Sequence, residues 1–144
     1  MNRRTVGTLA AVLTLVVAGS AAGCGESDPG GSSGKSDSEV DLEGKDFADE
    51  TGSDTVDVEA VDNNFRKPYI EVTKGATVTF TNDGRNVHDV VPVAEGAFPD
   101  IPAEDFKPDD AGSVTFDEVG DFAYYCTLHG TKTKGMVGGI RVVE

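Results

Sequence analysis

Three side chains that can bind a metal ion lie close together near the C-terminus of this chain. Two residues separate Cys126 from His129, and Met136 follows seven positions after His129. Thiolate and thioether sulfur together with imidazole nitrogen form a ligand set that selects copper, and two His, one Cys and a weak axial Met are typical of copper centres that transfer electrons. That set requires a second imidazole, and the only other histidine of the chain is His88.

The inventory of these residue types is small. The full sequence holds two Cys, two His and two Met. Met1 is the initiator, and Cys24 follows a segment that resembles an export signal. Every remaining Cys, His and Met therefore falls into one predicted metal site.

Each candidate ligand also has a structural interpretation. His88 could be a surface or structural residue, as most strand histidines are, and Cys126 could pack in the core as a small apolar side chain. Met136 could likewise serve packing alone. Zinc is the rival metal, because two His and one Cys with an open position resemble a catalytic zinc site. Copper is preferred because the motif offers no carboxylate to act as a base and zinc would make no use of the methionine.

Residues 1–23 have the organisation of a signal peptide. Arg3 and Arg4 precede an apolar stretch over residues 6–17, and small residues follow it. The apolar stretch is too short for a transmembrane helix. The sequence therefore predicts an exported protein.

Cys24 is predicted to carry a lipid anchor. It follows Ala21, Ala22 and Gly23, and this tetrapeptide resembles a bacterial lipobox, whose cysteine is lipidated and becomes the mature N-terminus. A buried or disulfide-bonded Cys24 is the alternative. Lipidation leaves Cys126 without an intramolecular disulfide partner, which metal ligation explains. We therefore expect a protein anchored by lipid to the outer face of the cell membrane.

Residues 24–54 are rich in Gly, Ser, Asp and Glu, and are predicted to form a disordered acidic linker. Such a composition cannot bury enough apolar surface to offset the entropy cost of ordering. A flexible tether of this length reaches about 30 Å, which would let a domain sample the space above a membrane. The net charge of the chain, −14 at pH 7, argues against a nucleic acid as partner.

From residue 55 to residue 144 the pattern changes to short runs of alternating apolar and polar residues, separated by turn residues, as in an all-β domain. The runs cover residues 56–61, 69–73, 76–81, 86–91, 113–117, 122–126 and 137–143. Between them, residues 102–107 could form one helical turn. Strand alternation places Tyr124 and Cys126 on an inner face and Tyr125 on the outer face. About eight short strands predict a Greek-key β-sandwich of two sheets.

The whole of residues 54–144 resembles the cupredoxins of the plastocyanin, amicyanin and halocyanin type. The resemblance is carried by Phe65, Pro68–Val72, Gly75–Asn82, His88–Val90, Gly120–Cys126, His129 and Gly135–Gly138. It implies a two-sheet, eight-stranded sandwich with one type 1 copper ion at one end. By position it implies His88, Cys126 and His129 as equatorial ligands and Met136 as the axial ligand.

The chain departs from the cupredoxin pattern at two places. Six residues separate His129 from Met136, which is more than plastocyanins and amicyanins have. Asp89 stands where many relatives have an Asn that links the two ligand segments. We expect the Asp89 carboxylate to accept a hydrogen bond from the Thr127 backbone N–H or hydroxyl, and a backbone N–H near position 89 to point at the Cys126 sulfur.

The resemblance implies a monomeric blue copper protein that shuttles single electrons between a donor and an acceptor protein in the membrane or outside the cytoplasm. The ring edge of His129 is the expected exit for the electron, and Tyr125 is a second route. A lipoprotein that stores copper or delivers it to an oxidase is the alternative, and a metal-free adhesion or binding sandwich is a third. We expect no enzymatic activity, because no Ser, Cys or carboxylate set indicates bond-making chemistry.

Overall fold

The computed structural model describes residues 39–144, so that the predicted signal peptide and Cys24 lie outside the described residues. The described part contains the strands β1 Ala48–Asp49, β2 Thr55–Val61, β3 Asn64–Arg66, β4 Tyr69–Thr73, β5 Thr77–Asn82, β6 Val91–Pro92, β7 Ala111–Thr115, β8 Gly120–Gly130 and β9 Gly135–Val143. One 3-10 turn, Ala103–Asp105, precedes β7. Within residues 39–144 no helix has the length and apolar character needed to cross a membrane.

The strands form two sheets, which share one apolar core. The first sheet has five strands in the order β1-β4-β9-β8-β6, and the second has four in the order β3-β2-β5-β7. Alternate residues of β5 show how the sequence produces this arrangement, since Val78, Phe80 and Asn82 are buried and the residues between them are not. Successive side chains of a strand point to opposite faces, so one face of each sheet is apolar. The predicted all-β sandwich is confirmed.

Aromatic rings from both sheets meet at the centre of the core. The ring centroid of Tyr124, from β8, lies 5.0 Å from that of Phe65 and 5.2 Å from that of Phe80. The Tyr124 hydroxyl donates a hydrogen bond to the carbonyl oxygen of Pro68 at 3.0 Å. Burial raises the pKa of Tyr124, so the hydroxyl stays protonated and keeps donating. A buried tyrosine needs such a partner for its polar end.

Residues 86–90 do not form the strand that their alternation predicted. The ladder begins only at Val91, and His88 therefore lies on a loop. The His88 backbone N–H donates to the carbonyl oxygen of Phe106 at 3.1 Å, and Val90 forms an isolated bridge with Ile101. The strand prediction was wrong because this segment pairs with an irregular part of the chain instead of with a neighbouring strand.

Residues 39–54, here called the N-terminal strap, pack against the first sheet. Within the strap, β1 pairs in parallel with β4. Leu42 packs on Gly139, since a Cβ on the glycine would come within 2.5 Å of the Leu42 Cδ2. The ring centroids of Phe47 and Tyr69 are 5.8 Å apart. The folded part of the chain thus begins before residue 55, where composition had placed its start. An open sheet edge at β4 recruits this segment despite its few apolar residues.

Candidate metal centre

Three predicted ligands converge on one point. The Nδ1 atoms of His88 and His129 are 3.1 Å apart. The Cys126 Sγ lies 3.8 Å from the His88 Nδ1 and 3.6 Å from the His129 Nδ1. At the bond lengths of a zinc site, about 2.0–2.1 Å to nitrogen and about 2.3 Å to sulfur, donors on one ion lie within about 4.4 Å of each other. All three separations meet this requirement, so the donor set fits a single metal ion.

Burial sets the protonation of this donor set. The side chains of His88 and Cys126 are fully buried, and that of His129 is half-buried. Burial lowers the pKa of His88, and the facing His129 lowers it further. Burial raises the pKa of the Cys126 thiol, although the backbone N–H groups of Asp89 and Leu128 favour the thiolate. The thiol proton must leave when a metal binds, because thiolate is the ligand form.

The ladder between β8 and β9 is interrupted at the ligands. Its flanking pairs are Tyr125 with Val137 and Gly130 with Gly135. Residues 126–129, here called the ligand bulge, therefore lie opposite Met136 alone. The bulge frees Cys126 and His129 from regular strand geometry, as β-bulges do when they redirect side chains. The register thus places Met136, which is 1% exposed, across from Cys126 and His129.

The additional residues between His129 and Met136 form a turn beyond the site. The Thr131 backbone N–H donates to the carbonyl oxygen of Lys134 at 2.8 Å, and this closes the hairpin. Gly135 has a φ of +90°, and a Cβ there would approach the His129 carbonyl oxygen to 2.7 Å. Only glycine satisfies both conditions. The longer loop therefore extends the hairpin and leaves Met136 opposite the ligand bulge.

Lys132, in the same turn, forms a hydrogen bond with another segment of the chain. Its Nζ donates to the carbonyl oxygen of Val93 at 2.8 Å. This bond ties the hairpin to the segment that follows β6. Lys134, the second lysine of the turn, is exposed.

Asp89 connects the two ligand segments. The Thr127 backbone N–H donates to the Asp89 Oδ1 at 2.6 Å, and the Thr127 hydroxyl donates to the Oδ2. Both of the donors that were considered for this contact are thus used, and the predicted interaction is confirmed. Because Asp89 is only 6% exposed, its carboxylate acts on the neighbouring Cys126 through little solvent.

Sequence reasoning missed one residue of this region, Asn82. It is fully buried at the end of β5, and its side chain forms hydrogen bonds with the loop that carries His88. A signal was present in the sequence. Asn82 continues the period-2 series of Val78 and Phe80, which places a polar side chain on the inner face of the sheet.

Comparison with known proteins agrees with this geometry. The profile described as copper binding proteins, plastocyanin/azurin family, matches residues 53–143. The chain belongs to this family. The cupredoxin resemblance and the predicted cofactor, copper, are thereby confirmed. The structure of this copper-binding protein is similar to the copper(I) form of an amicyanin variant, with 29% identity, a TM-score of 0.53 and coverage of 65% of this chain and 87% of that one.

A second amicyanin variant, in the oxidised state, is 28% identical with a TM-score of 0.51, and the alignment covers 67% of this chain and 90% of that chain. No curated protein matches the sequence. The donor set itself favours copper over zinc, because thiolate, imidazole and thioether together are soft ligands.

Asp89→Asn is expected to raise the reduction potential of this copper-binding protein by about 60 mV, a tenfold change for a one-electron couple. The carboxylate favours the more highly charged Cu(II) state, and Asn replaces one of the two oxygens that accept from Thr127 by an NH2 group, which cannot accept. Redox titration followed by visible absorption measures the shift. Asp117→Asn, at an exposed carboxylate, is the control and should leave the potential unchanged. Equal potentials for the wild type and Asp89→Asn would contradict the expectation.

Met136→Leu is expected to retain copper and colour but to raise the reduction potential, by about 60 mV or more, because losing a weak donor disfavours Cu(II) more than Cu(I). The same redox titration tests it. Ile140→Leu is the control, since it conserves volume at another buried position of β9. If Met136→Leu left the potential at the wild-type value, the thioether would not be an axial ligand.

Proposed function

We propose that this protein carries single electrons between redox proteins through one type 1 copper centre, outside the cytoplasmic membrane. The observation that carries the proposal is the convergence of the His88 Nδ1, the His129 Nδ1 and the Cys126 Sγ, with Met136 opposite them in the ladder. When bound, copper supplies one-electron chemistry by alternating between Cu(II) and Cu(I). The sandwich supports this function because it holds His88 on a hydrogen-bonded loop, Cys126 and His129 on the ligand bulge, and Met136 on β9.

The exposure of the ligands supports a proposal for where an electron would leave. The His88 ring is fully buried, whereas the His129 ring is half-buried and follows Leu128, which is 54% exposed. His129 is therefore the proposed exit to a partner. Tyr125, which is half-buried and pairs with Val91, offers the second route. The first route runs from the metal through the His129 ring, and the second runs from Cys126 along β8 to Tyr125.

One experiment separates electron transfer from copper storage or delivery. The copper-loaded protein is cycled repeatedly between oxidised and reduced states in the presence of a Cu(I) chelator. An electron carrier retains its copper and recovers its full absorption after each cycle. Loss of copper to the chelator on reduction would favour storage or delivery and would overturn the proposal.

We further propose that a lipid on Cys24 anchors the protein, as a monomer, to the outer face of the membrane. Cys24→Ser is expected to move the protein from the detergent phase to the aqueous phase while leaving it blue, because a diacylglycerol contributes about 0.8 kcal/mol per buried methylene. Phase partitioning followed by blotting measures the distribution. Cys126→Ser is the matched control and should stay in the detergent phase. Retention of Cys24→Ser in that phase would contradict a lipid anchor at this residue.

A further inference from the structure

Three polar or charged side chains are buried in residues 39–144, namely Asn82, His88 and Asp89. His88 belongs to the metal centre, and Asp89 links its two segments. Asn82 is 0% exposed and has no role in the function proposed above. A buried amide requires hydrogen-bond partners, because an unsatisfied polar group in a core costs about 1–3 kcal/mol. The partners of Asn82 therefore indicate what its side chain does.

Both donors and the acceptor of the Asn82 carboxamide are engaged. The Nδ2 donates to the carbonyl oxygens of Asn86 and Phe106, each at 2.9 Å. The Oδ1 accepts a hydrogen bond from the Gly84 backbone N–H at 3.0 Å. Two of these bonds fix the loop over residues 83–87, which leads directly into His88. The third reaches a distant segment of the chain.

The Phe106 carbonyl oxygen connects Asn82 to the imidazole ligand. It accepts hydrogen bonds from the Asn82 Nδ2 at 2.9 Å and from the His88 backbone N–H at 3.1 Å. A single carbonyl group therefore holds both the carboxamide and the main chain of the ligand. Any movement of Asn82 would be transmitted to His88 through this shared acceptor and through the loop.

The His88 ring has no hydrogen bond of its own on the side away from the donor set. Its Nε2 is buried and has no partner within residues 39–144. Histidines that bind metals usually donate this second ring N–H to a carboxylate, a carbonyl or a water, and that bond fixes the ring orientation. Gly84 packs against the ring instead, since a Cβ there would come within 3.4 Å of the Nε2 and 3.3 Å of the Asn82 Oδ1. The ring orientation therefore depends on the loop that Asn82 holds.

We infer that Asn82 is the positioning residue for His88, with the carboxamide fixing the loop that directs the His88 Nδ1 toward Cys126 and His129. The inference rests on the proposed copper site. Asn82 acts through the loop and through the Phe106 carbonyl group and does not touch the metal. Its effect should therefore appear in the geometry of the site as well as in the stability of the fold.

The test replaces Asn82 in the copper-loaded protein by Ser, which shortens the side chain, and by Asp, which removes the two donors. Copper(II) affinity is expected to fall by about 10- to 100-fold, as it does when groups that orient ligands are removed. The copper hyperfine splitting in electron paramagnetic resonance and the reduction potential should change as well. Asn64→Asp is the control, because it adds the same charge as Asn82→Asp at an exposed side chain outside this loop. Folded Asn82 variants with wild-type affinity, spectrum and potential would overturn the inference.

A readout without metal separates this inference from the proposed function. The His88 and His129 ring centroids are 4.8 Å apart, which is close enough for a nuclear Overhauser effect between the rings when the protein is studied without metal. We expect the Asn82 variants to lose this contact and Asn64→Asp to keep it. If the wild type bound no copper, the proposed function would fail, whereas retention of the ring contact in the Asn82 variants would contradict the positioning role alone.

Should neither Asn82 variant fold, the wild-type apo protein provides the decisive measurement. The two Nδ2 protons of Asn82 are expected to exchange with solvent much more slowly than those of Asn64, whose side chain is exposed. Slow exchange is expected because burial and the hydrogen bonds to the Asn86 and Phe106 carbonyl groups protect these protons. Exchange as fast as that of Asn64 would overturn the inference.

Discussion

Cys126→Ser is expected to abolish the intense visible absorption of the copper-loaded protein. The colour arises from charge transfer between a thiolate and copper, and the Cys126 Sγ lies within 4 Å of both Nδ1 atoms, at 3.8 and 3.6 Å. A serine hydroxyl ionises weakly and is a hard ligand, so it supplies neither the charge transfer nor the affinity for Cu(I). The absorption spectrum of the full-length protein with one equivalent of Cu(II) measures the effect.

The matched control is Cys24→Ser, because Cys24 is the only other cysteine of the chain. This variant should be as blue as the wild type. A copper-loaded wild type without colour would contradict the type 1 assignment. A blue Cys126→Ser protein would instead show that the thiolate comes from another residue.

Gly138→Ala is expected to reduce the free energy of unfolding by about 2–4 kcal/mol, through overpacking and the loss of a buried hydrogen bond. A Cβ at this position would lie 2.3 Å from the Tyr124 Cζ, 2.4 Å from its hydroxyl oxygen and 2.4 Å from the Pro68 carbonyl oxygen. Tyr124 is fully buried between the sheets, so its ring has no space to move away. Because its hydroxyl donates to the same Pro68 oxygen, displacing the ring would also break that bond.

Thermal unfolding of the apo protein measures this change, and the midpoint should fall by about 8 °C or more for a domain of this size. Gly52→Ala is the control, because no atom lies within 4 Å of a Cβ at that exposed position and its φ is not in the left-handed region. It should change stability by no more than about 0.5 kcal/mol. Equal midpoints for the two variants would contradict the close packing of Gly138 against Tyr124.

The chemistry of the site follows from the sequence because it depends on residue types. With so few sulfur and imidazole side chains, His88, Cys126, His129 and Met136 could be assigned to one centre before any fold was known. The all-β class was equally accessible, because the period-2 alternation of buried side chains is a local property of each strand. The contact between Asp89 and Thr127 also followed from the family pattern at these positions.

Two features of the fold depend on contacts between segments that are distant in the sequence. The strand predicted over residues 86–91 is a loop up to residue 90, because its main chain pairs with an irregular segment that has no recognisable pattern. The N-terminal strap is ordered because β4 leaves an edge open to it, although its composition resembles that of a linker. Alternation describes one strand at a time and carries no information about its partner.

The placement of Met136 and the role of Asn82 were decided by tertiary structure alone. Only the register between β8 and β9 shows that Met136 lies opposite the ligand bulge and that the longer loop is a hairpin beyond it. Asn82 meets the Phe106 carbonyl oxygen across 24 positions of sequence. Every residue offers the same main-chain carbonyl group, whatever its side chain. The sequence therefore cannot show which carbonyl group a buried amide will bind. Chain folding selects it by bringing that carbonyl group within hydrogen-bonding distance.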